Sequence, residues 1–238
     1  MTDKTDKTPP SGLPAATAGT AGTAGTGANG SSAHNGSNGV HAPADGDDDV
    51  GEWPMAVQEL AAACVRFVAT KYKVALDFTP DTLSLVDQYA RDTREASAAE
   101  DIEQAEMRLA RAMPIVEGAI GAYLGEVIRR AHGGIWDADG DPSTWRVLMT
   151  RVFLAFNPIA MAREALTLEH DDGAHLVTDP AQREALEARL ASLGQVDDTE
   201  YFAPTTRFDV IEIAVEALAA QARISGVADV KFTREDYD

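Results

Sequence analysis

The sequence predicts a mostly helical α+β fold: about six helices packed with a small antiparallel sheet, behind a disordered N-terminal tail. Three observations predict it. From Trp53 onward, apolar residues recur at three- and four-residue spacing, the period of an amphipathic helix. Runs rich in β-branched and aromatic residues are confined to one stretch, residues 135–156. Residues 1–50 have a different composition, dominated by Gly, Ala, Thr, Ser and Asn, with Ala-Gly-Thr repeated from Ala18 to Thr26.

That first segment carries only Leu13 and Val40 as bulky aliphatics before Val50, so burial cannot offset the entropy of ordering it. It lacks the continuous apolar stretch of a secretory signal and the arginines of a mitochondrial transit peptide. Residues 51–238 are expected to form a single globular α+β domain.

Within the domain, Pro54 suits a first helical position, and Val57, Leu60, Ala61, Cys64 and Val68 give an apolar face running to Tyr72. Thr79-Pro80-Asp81 predicts a second helix to about Glu95, with Thr79 as N-cap and Leu83, Val86, Tyr89 and Ala90 inward. Ser97 and Glu100 fit a capping box opening a third. Its apolar spacing continues from Ile102 to Val127, interrupted by Pro114, where the lost donor predicts a kink or break. The second half carries Gly118, Gly121 and Gly125. A glycine inside a helix costs ~1 kcal/mol against alanine. Three so close together imply backbone or a large side chain resting against that face.

His132-Gly133-Gly134 ends this helix. Ile135-Trp136, Trp145–Met149 and Val152–Phe156 read as strands, with a turn at Asp139-Gly140-Asp141-Pro142, although the short apolar runs of 145–156 fit a continuing helix as well. Asn157-Pro158 opens a helix to about Leu166, and Asp179-Pro180 another that stops at Gly194. A last helix spans about Thr206 to Ile224, with Phe208, Ile211, Val215, Leu218 and Ala222 inward. Beyond it, Val227, Val230 and Phe232 are positioned to cover a sheet edge.

Composition narrows function by exclusion. Thirty-nine acidic against 20 basic residues give a net charge of −19, which argues against nucleic acid or an anionic membrane as partner. No apolar run approaches the ~20 residues that span a bilayer. The single cysteine, Cys64, cannot form an internal disulfide and reads as a small buried hydrophobe. Phosphate-binding, dinucleotide-binding and nucleophile-elbow motifs are absent.

The densest group of functional side chains is Tyr123, Glu126, Arg130, His132, Trp136 and Asp137. Glu126 and Arg130 are four apart on a helix and can pair, with Tyr123 on the same side. The glycine pair before Trp136 leaves room for a ligand, so these six are the candidate binding residues, with Glu126 or His132 as acid/base. The plainer reading is a surface ion pair, a histidine at a helix C-terminus and a core tryptophan. No nucleophile, base and orienting group can be assigned together, so no catalytic residue is named. Asp137-x-Asp139-Gly140-Asp141 departs from a calcium loop, with its glycine at position four and Leu148 at position twelve. Glu169, His170, Asp171, Asp172 and His175 match no metal-ligand spacing, and no metal or cofactor is expected.

Two stretches are similar to known sequences. They are Leu76-Asp77-Phe78-Thr79-Pro80-Asp81-Thr82-Leu83, followed by Val86-Asp87, and Gly121-Ala122-Tyr123-Leu124-Gly125-Glu126-Val127-Ile128-Arg129-Arg130, followed by Gly133-Gly134 and Trp136. Together they resemble a group of small uncharacterised bacterial domains across roughly Val57 to Leu166. The resemblance implies a similar order of helices, a Gly-Gly-x-Trp strand, a proline-led later helix and a bacterial, cytosolic origin. It implies no chemistry. The functional expectation is a non-enzymatic interaction or regulatory protein of the bacterial cytoplasm, whose acidic surface meets a basic surface on another protein. The alternative is a small ligand-binding domain or enzyme with a polar pocket around residues 123–141.

Overall fold

The computed structural model describes residues 53–98, 102–192, 194 and 197–238. The tail expected over residues 1–50 lies outside them. The described chain is a mostly helical α+β structure with a four-stranded antiparallel sheet.

Helix α1 (Met55–Tyr72) buries Val57, Ala61, Cys64 and Val68, the predicted stripe. It closes on Lys73, whose left-handed backbone (φ 61°) lets its N–H reach the Ala69 carbonyl. The next helical segment starts after Thr79 as expected, with Thr79 in the N-cap position, but its first turn is not α-helical. Pro80–Thr82 form a tight 3-10 turn, and α2 runs from Leu83 to Ala98. Thr79 makes no cap bond with its side chain, whose hydroxyl turns back to donate to Asp77. The Asp77 carboxylate takes the Thr79 N–H at 2.9 Å and the Thr79 hydroxyl at 2.6 Å. Ser97 is also no N-cap: it lies inside α2 and donates its hydroxyl to the Thr93 carbonyl at 2.9 Å. Glu100, the other half of that capping box, is outside the described residues.

Helix α3 (Ile102–His132) runs unbroken through Pro114. A proline inside a helix costs ~3 kcal/mol, so other contacts must compensate. They are supplied just beyond it, where Ala119, Ile120, Ala122, Tyr123, Leu124, Val127 and Ile128 are all buried. The glycines of this helix mark its closest contacts. A β-carbon on Gly121 would lie 2.5 Å from the Ile159 α-carbon and 2.7 Å from the Pro158 carbonyl oxygen. One on Gly125 would run into the Trp136 indole, with Pro158 Cγ at 2.9 Å. Gly118 faces only the end of Leu60, at 3.2 Å.

Gly133 (φ 81°) turns the chain into the sheet. Its strands are β1 (Gly134–Asp137), β2 (Arg146–Met149), β3 (Leu154–Phe156) and β4 (Val177–Thr178), paired in that order. The first three were expected. The two residues of β4 are too few to show any periodicity. Helix α4 (Pro158–Thr167) starts as predicted, with the Asn157 side chain accepting the N–H groups of Ile159 and Ala160 at 3.0 Å each. It is nearly enveloped, packing on α2 and α3. Helix α5 (Pro180–Ala191), the short α6 (Asp198–Tyr201) and α7 (Pro204–Ile224) follow, and α7 contacts both α5 and α6. On α7 the buried residues include Phe208, Ile211, Ala214 and Leu218, whereas Val215 and Ala222 are half-buried.

The last residues form a strap over the β2–β3 turn. The Phe232 N–H donates to the Thr150 carbonyl at 2.8 Å. The Tyr237 hydroxyl donates to the Met149 carbonyl at 2.7 Å and accepts the Leu154 N–H at 3.0 Å. Phe232 therefore covers the β2–β3 turn rather than a sheet edge, packing on Phe153, while Val227 and Val230 stay exposed. Among the described residues no helix is long and apolar enough to cross a membrane.

Candidate functional site

Four of the six candidate residues converge on the C-terminal half of α3. Glu126 faces inward and is fully buried. Its Oε1 accepts from Arg129 Nη2 at 2.9 Å and Arg130 Nε at 2.6 Å. Its Oε2 accepts from Arg129 Nε at 2.8 Å, with the Trp136 indole N–H at 3.4 Å. Burial pushes this carboxyl upward, but the two guanidiniums outweigh it, so Glu126 titrates below its ordinary range. Its acceptor positions are filled and its charge is balanced. Such a carboxylate anchors the end of α3 to β1 and has no free lone pair with which to take a proton from a substrate.

Tyr123 and Arg130 draw in the other stretch singled out in the sequence, around Phe78. The Tyr123 hydroxyl accepts the Phe78 N–H at 2.9 Å and shares a proton with the Thr82 hydroxyl at 2.7 Å. This bond holds Phe78 in a left-handed backbone conformation (φ 64°). The ring of Phe78 then lies 4.8 Å from that of Tyr123 and receives the Arg130 guanidinium at 4.4 Å. Trp53 takes the same guanidinium at 5.1 Å. The stretches 76–83 and 121–136 thus meet in one cluster, and their residue types are those that build it: a turn-forming Asp77-Phe78-Thr79, a buried tyrosine, a carboxylate–arginine network and a tryptophan over glycine.

The remaining two candidates lie elsewhere. His132 packs on Phe208 of α7, with ring centroids 5.7 Å apart and the Glu212 carboxylate 4.0 Å from its Nε2. Burial holds its pKa below the usual histidine value, against the opposing pull of Glu212 and Glu216. Asp137 lies on β1, where Arg146 binds it at 2.7 Å and Arg234 of the strap at 2.6 Å. Asp139 pairs with the same Arg234. Asp141 caps the turn that follows, accepting the Ser143 N–H at 2.8 Å. These acids each have local partners and do not converge as a calcium loop would require.

A second polar centre was not anticipated from the sequence. Glu164 of α4 and Arg207 of α7 form a buried ion pair. Glu164 also accepts the Asp171 N–H at 3.1 Å, and His170 Nδ1 lies 3.8 Å from it. Tyr201 stacks over the Arg207 guanidinium at 4.2 Å, with Phe202 at 5.3 Å. The Nε–H of Arg207 has no acceptor. Both residues line a cavity of about 580 Å³ between β4, α5 and α7. One signal pointed to the pair: Glu164 sits between Ala162 and Ala165 on the apolar face of its helix, where an acid needs a partner. The partner is 43 residues away, so spacing alone did not find it.

Cys64 is fully buried and its thiol is pushed up to about 12 by burial, which leaves it without nucleophilic character. Among the described residues no three or more His, Cys, Asp or Glu side chains are grouped to hold a metal ion. No family model, curated protein or solved structure matches the chain.

Proposed function

We propose that this chain is a non-enzymatic interaction or regulatory protein of the bacterial cytoplasm, which binds a basic surface on a partner protein. The observation that carries this reading is the charge on the layer formed by α5, α6 and α7. Glu184, Glu187, Asp198, Glu200, Asp209 and Glu216 are all exposed there. Asp197 at the start of α6 adds to them, against exposed Arg183, Arg189 and Arg223. Seven of the 39 acids and two of the 20 bases precede Trp53, so residues 53–238 carry −14 of the −19 charge. A field of one sign raises encounter rates with an oppositely charged protein and repels nucleic acid. The state of Glu126 favours binding over catalysis, because the central carboxylate of the α3 cluster is committed to its own arginines.

The test is co-purification from source-cell lysate at low and high ionic strength, using the native chain and a Glu184→Lys/Asp198→Lys/Asp209→Lys/Glu216→Lys variant. A discrete protein partner is expected at low salt, reduced at high salt and lost with the charge-reversed chain. Equal retention by the two chains would overturn the proposal.

A further inference from the structure

The geometry points to a small-molecule site in the Glu164–Arg207 cavity, suited to a carboxylate carried on a short apolar body. This inference does not depend on the acidic-surface reading, since the pair at its centre, Glu164 and Arg207, is buried. The cavity's volume of about 580 Å³ falls within the ~300–1,000 Å³ of small-ligand pockets. One wall is apolar: Leu176, Leu186, Leu190 and Val210. The other carries donors, namely Arg207, Arg183, His170 and His175. Arg207 and Arg183 here face Glu164 and Glu187, so the lining is charge-balanced in a chain with twice as many acids as bases.

Arg207 is the centre of the argument. It is the residue whose charge Glu164 balances, yet its Nε–H is unpaired in a buried position. Leaving such a donor unpaired costs free energy, and an oxygen acceptor from a ligand removes that cost. A carboxylate meets this need with a charge-assisted bond, and Arg183 supplies a second guanidinium in the lining. Access to Nε requires Tyr201 to move. Its helix, α6, has four residues and buries none of them, so it is the weakest wall of the cavity.

Octanoate is the probe, with octanol and octylammonium as head-group controls, in a two-dimensional amide NMR titration of the full chain. Octanoate is expected to give saturable shifts confined to residues 174–190 and 201–210, with octanol and octylammonium at least ~10-fold weaker. Arg207→Lys keeps a cation for Glu164 but lacks the Nε donor, and is expected to lose binding. Arg183→Gln alters an exposed side chain, leaves the fold intact, and is expected to weaken octanoate ~10-fold. Leu190→Trp fills the apolar end and is expected to abolish binding. No saturable shift with octanoate, equal affinity for octanol, shifts centred elsewhere, or full binding by Leu190→Trp or Arg183→Gln would each overturn the assignment.

Discussion

The approach of α3 to α4 rests on Gly121, and replacing it with alanine gives a quantitative test of that contact. An added β-carbon would lie 2.5 Å from the Ile159 α-carbon and 2.7 Å from the Pro158 oxygen, both backbone atoms that cannot rotate away. Ordinary carbon contacts begin near ~3.5 Å, so α4 would have to retreat by about 1 Å. It is poorly placed to do so. It is buried on nearly every side, and Asn157 ties its first turn to the Ser143 carbonyl at 2.6 Å. Alanine recovers ~1 kcal/mol of helix propensity, while overpacking against rigid backbone costs ~3 kcal/mol. The net expectation for Gly121→Ala is a loss of about 2 kcal/mol, or a Tm lower by ~4–8 °C for a domain of this size. Gly118→Ala is the control. Its β-carbon would meet only the terminal atoms of the half-buried Leu60, at 3.2 and 3.3 Å, and that side chain can turn aside. It is expected to be neutral or up to ~1 kcal/mol more stable. Urea unfolding followed by circular dichroism measures both. If the two variants fall within ~0.5 kcal/mol of each other, the close contact between these helices is not what requires the glycine.

Glu126→Gln removes the buried charge that Arg129 and Arg130 share, which is expected to cost ~3–5 kcal/mol in urea unfolding. The native carboxyl titrates below its ordinary value of 4.5, so its contribution to stability is complete above that pH and is lost as the pH falls through the folded value. An unfolding midpoint insensitive to pH between about 5 and 3 would contradict this. His132 also has a lowered folded pKa, and here it is the neutral form that the fold prefers. The unfolded chain binds the proton first, so stability should decline as pH drops below 6.5, and proton NMR should show His132 titrating below that ordinary histidine value. Cys64 should resist a disulfide reagent in the native state at pH 8 and react at once in denaturant, because its thiol lies near 12 when folded.

Local chemistry made much of the fold legible. Asn157-Pro158 and Asp179-Pro180 announce helix starts through an acceptor side chain and a residue that needs no donor, and both act as expected. The apolar stripes of α1 and α7 and the β-branched runs of β2 and β3 work through spacing alone. The three glycines of α3 signalled a close contact because their cost demanded a return. Local chemistry misled where a competitor lay within a few residues. Thr79 has the type and place of an N-cap, but its hydroxyl donates back to Asp77 and takes no helical N–H, and the first turn is 3-10. Ser97 resembled another, but α2 had helical spacing left to run and absorbed it. Pro114 weakened its helix on paper, and burial of the next turns carried the helix through.

The chain by itself determined the mostly helical character, the position of the sheet between two helical stretches, the acidic charge and the residues of the Tyr123–Trp136 cluster, since each depends on neighbours a few positions away. Only the tertiary structure decided what those residues do. It turned Glu126 inward onto Arg129 and Arg130, sent His132 to α7 and Asp137 to the strap, and joined Glu164 to Arg207 across 43 residues. The physical reason is one of range. Helix spacing and capping act over a single turn, whereas the protonation and freedom of a charged side chain depend on which distant group the folded chain places against it.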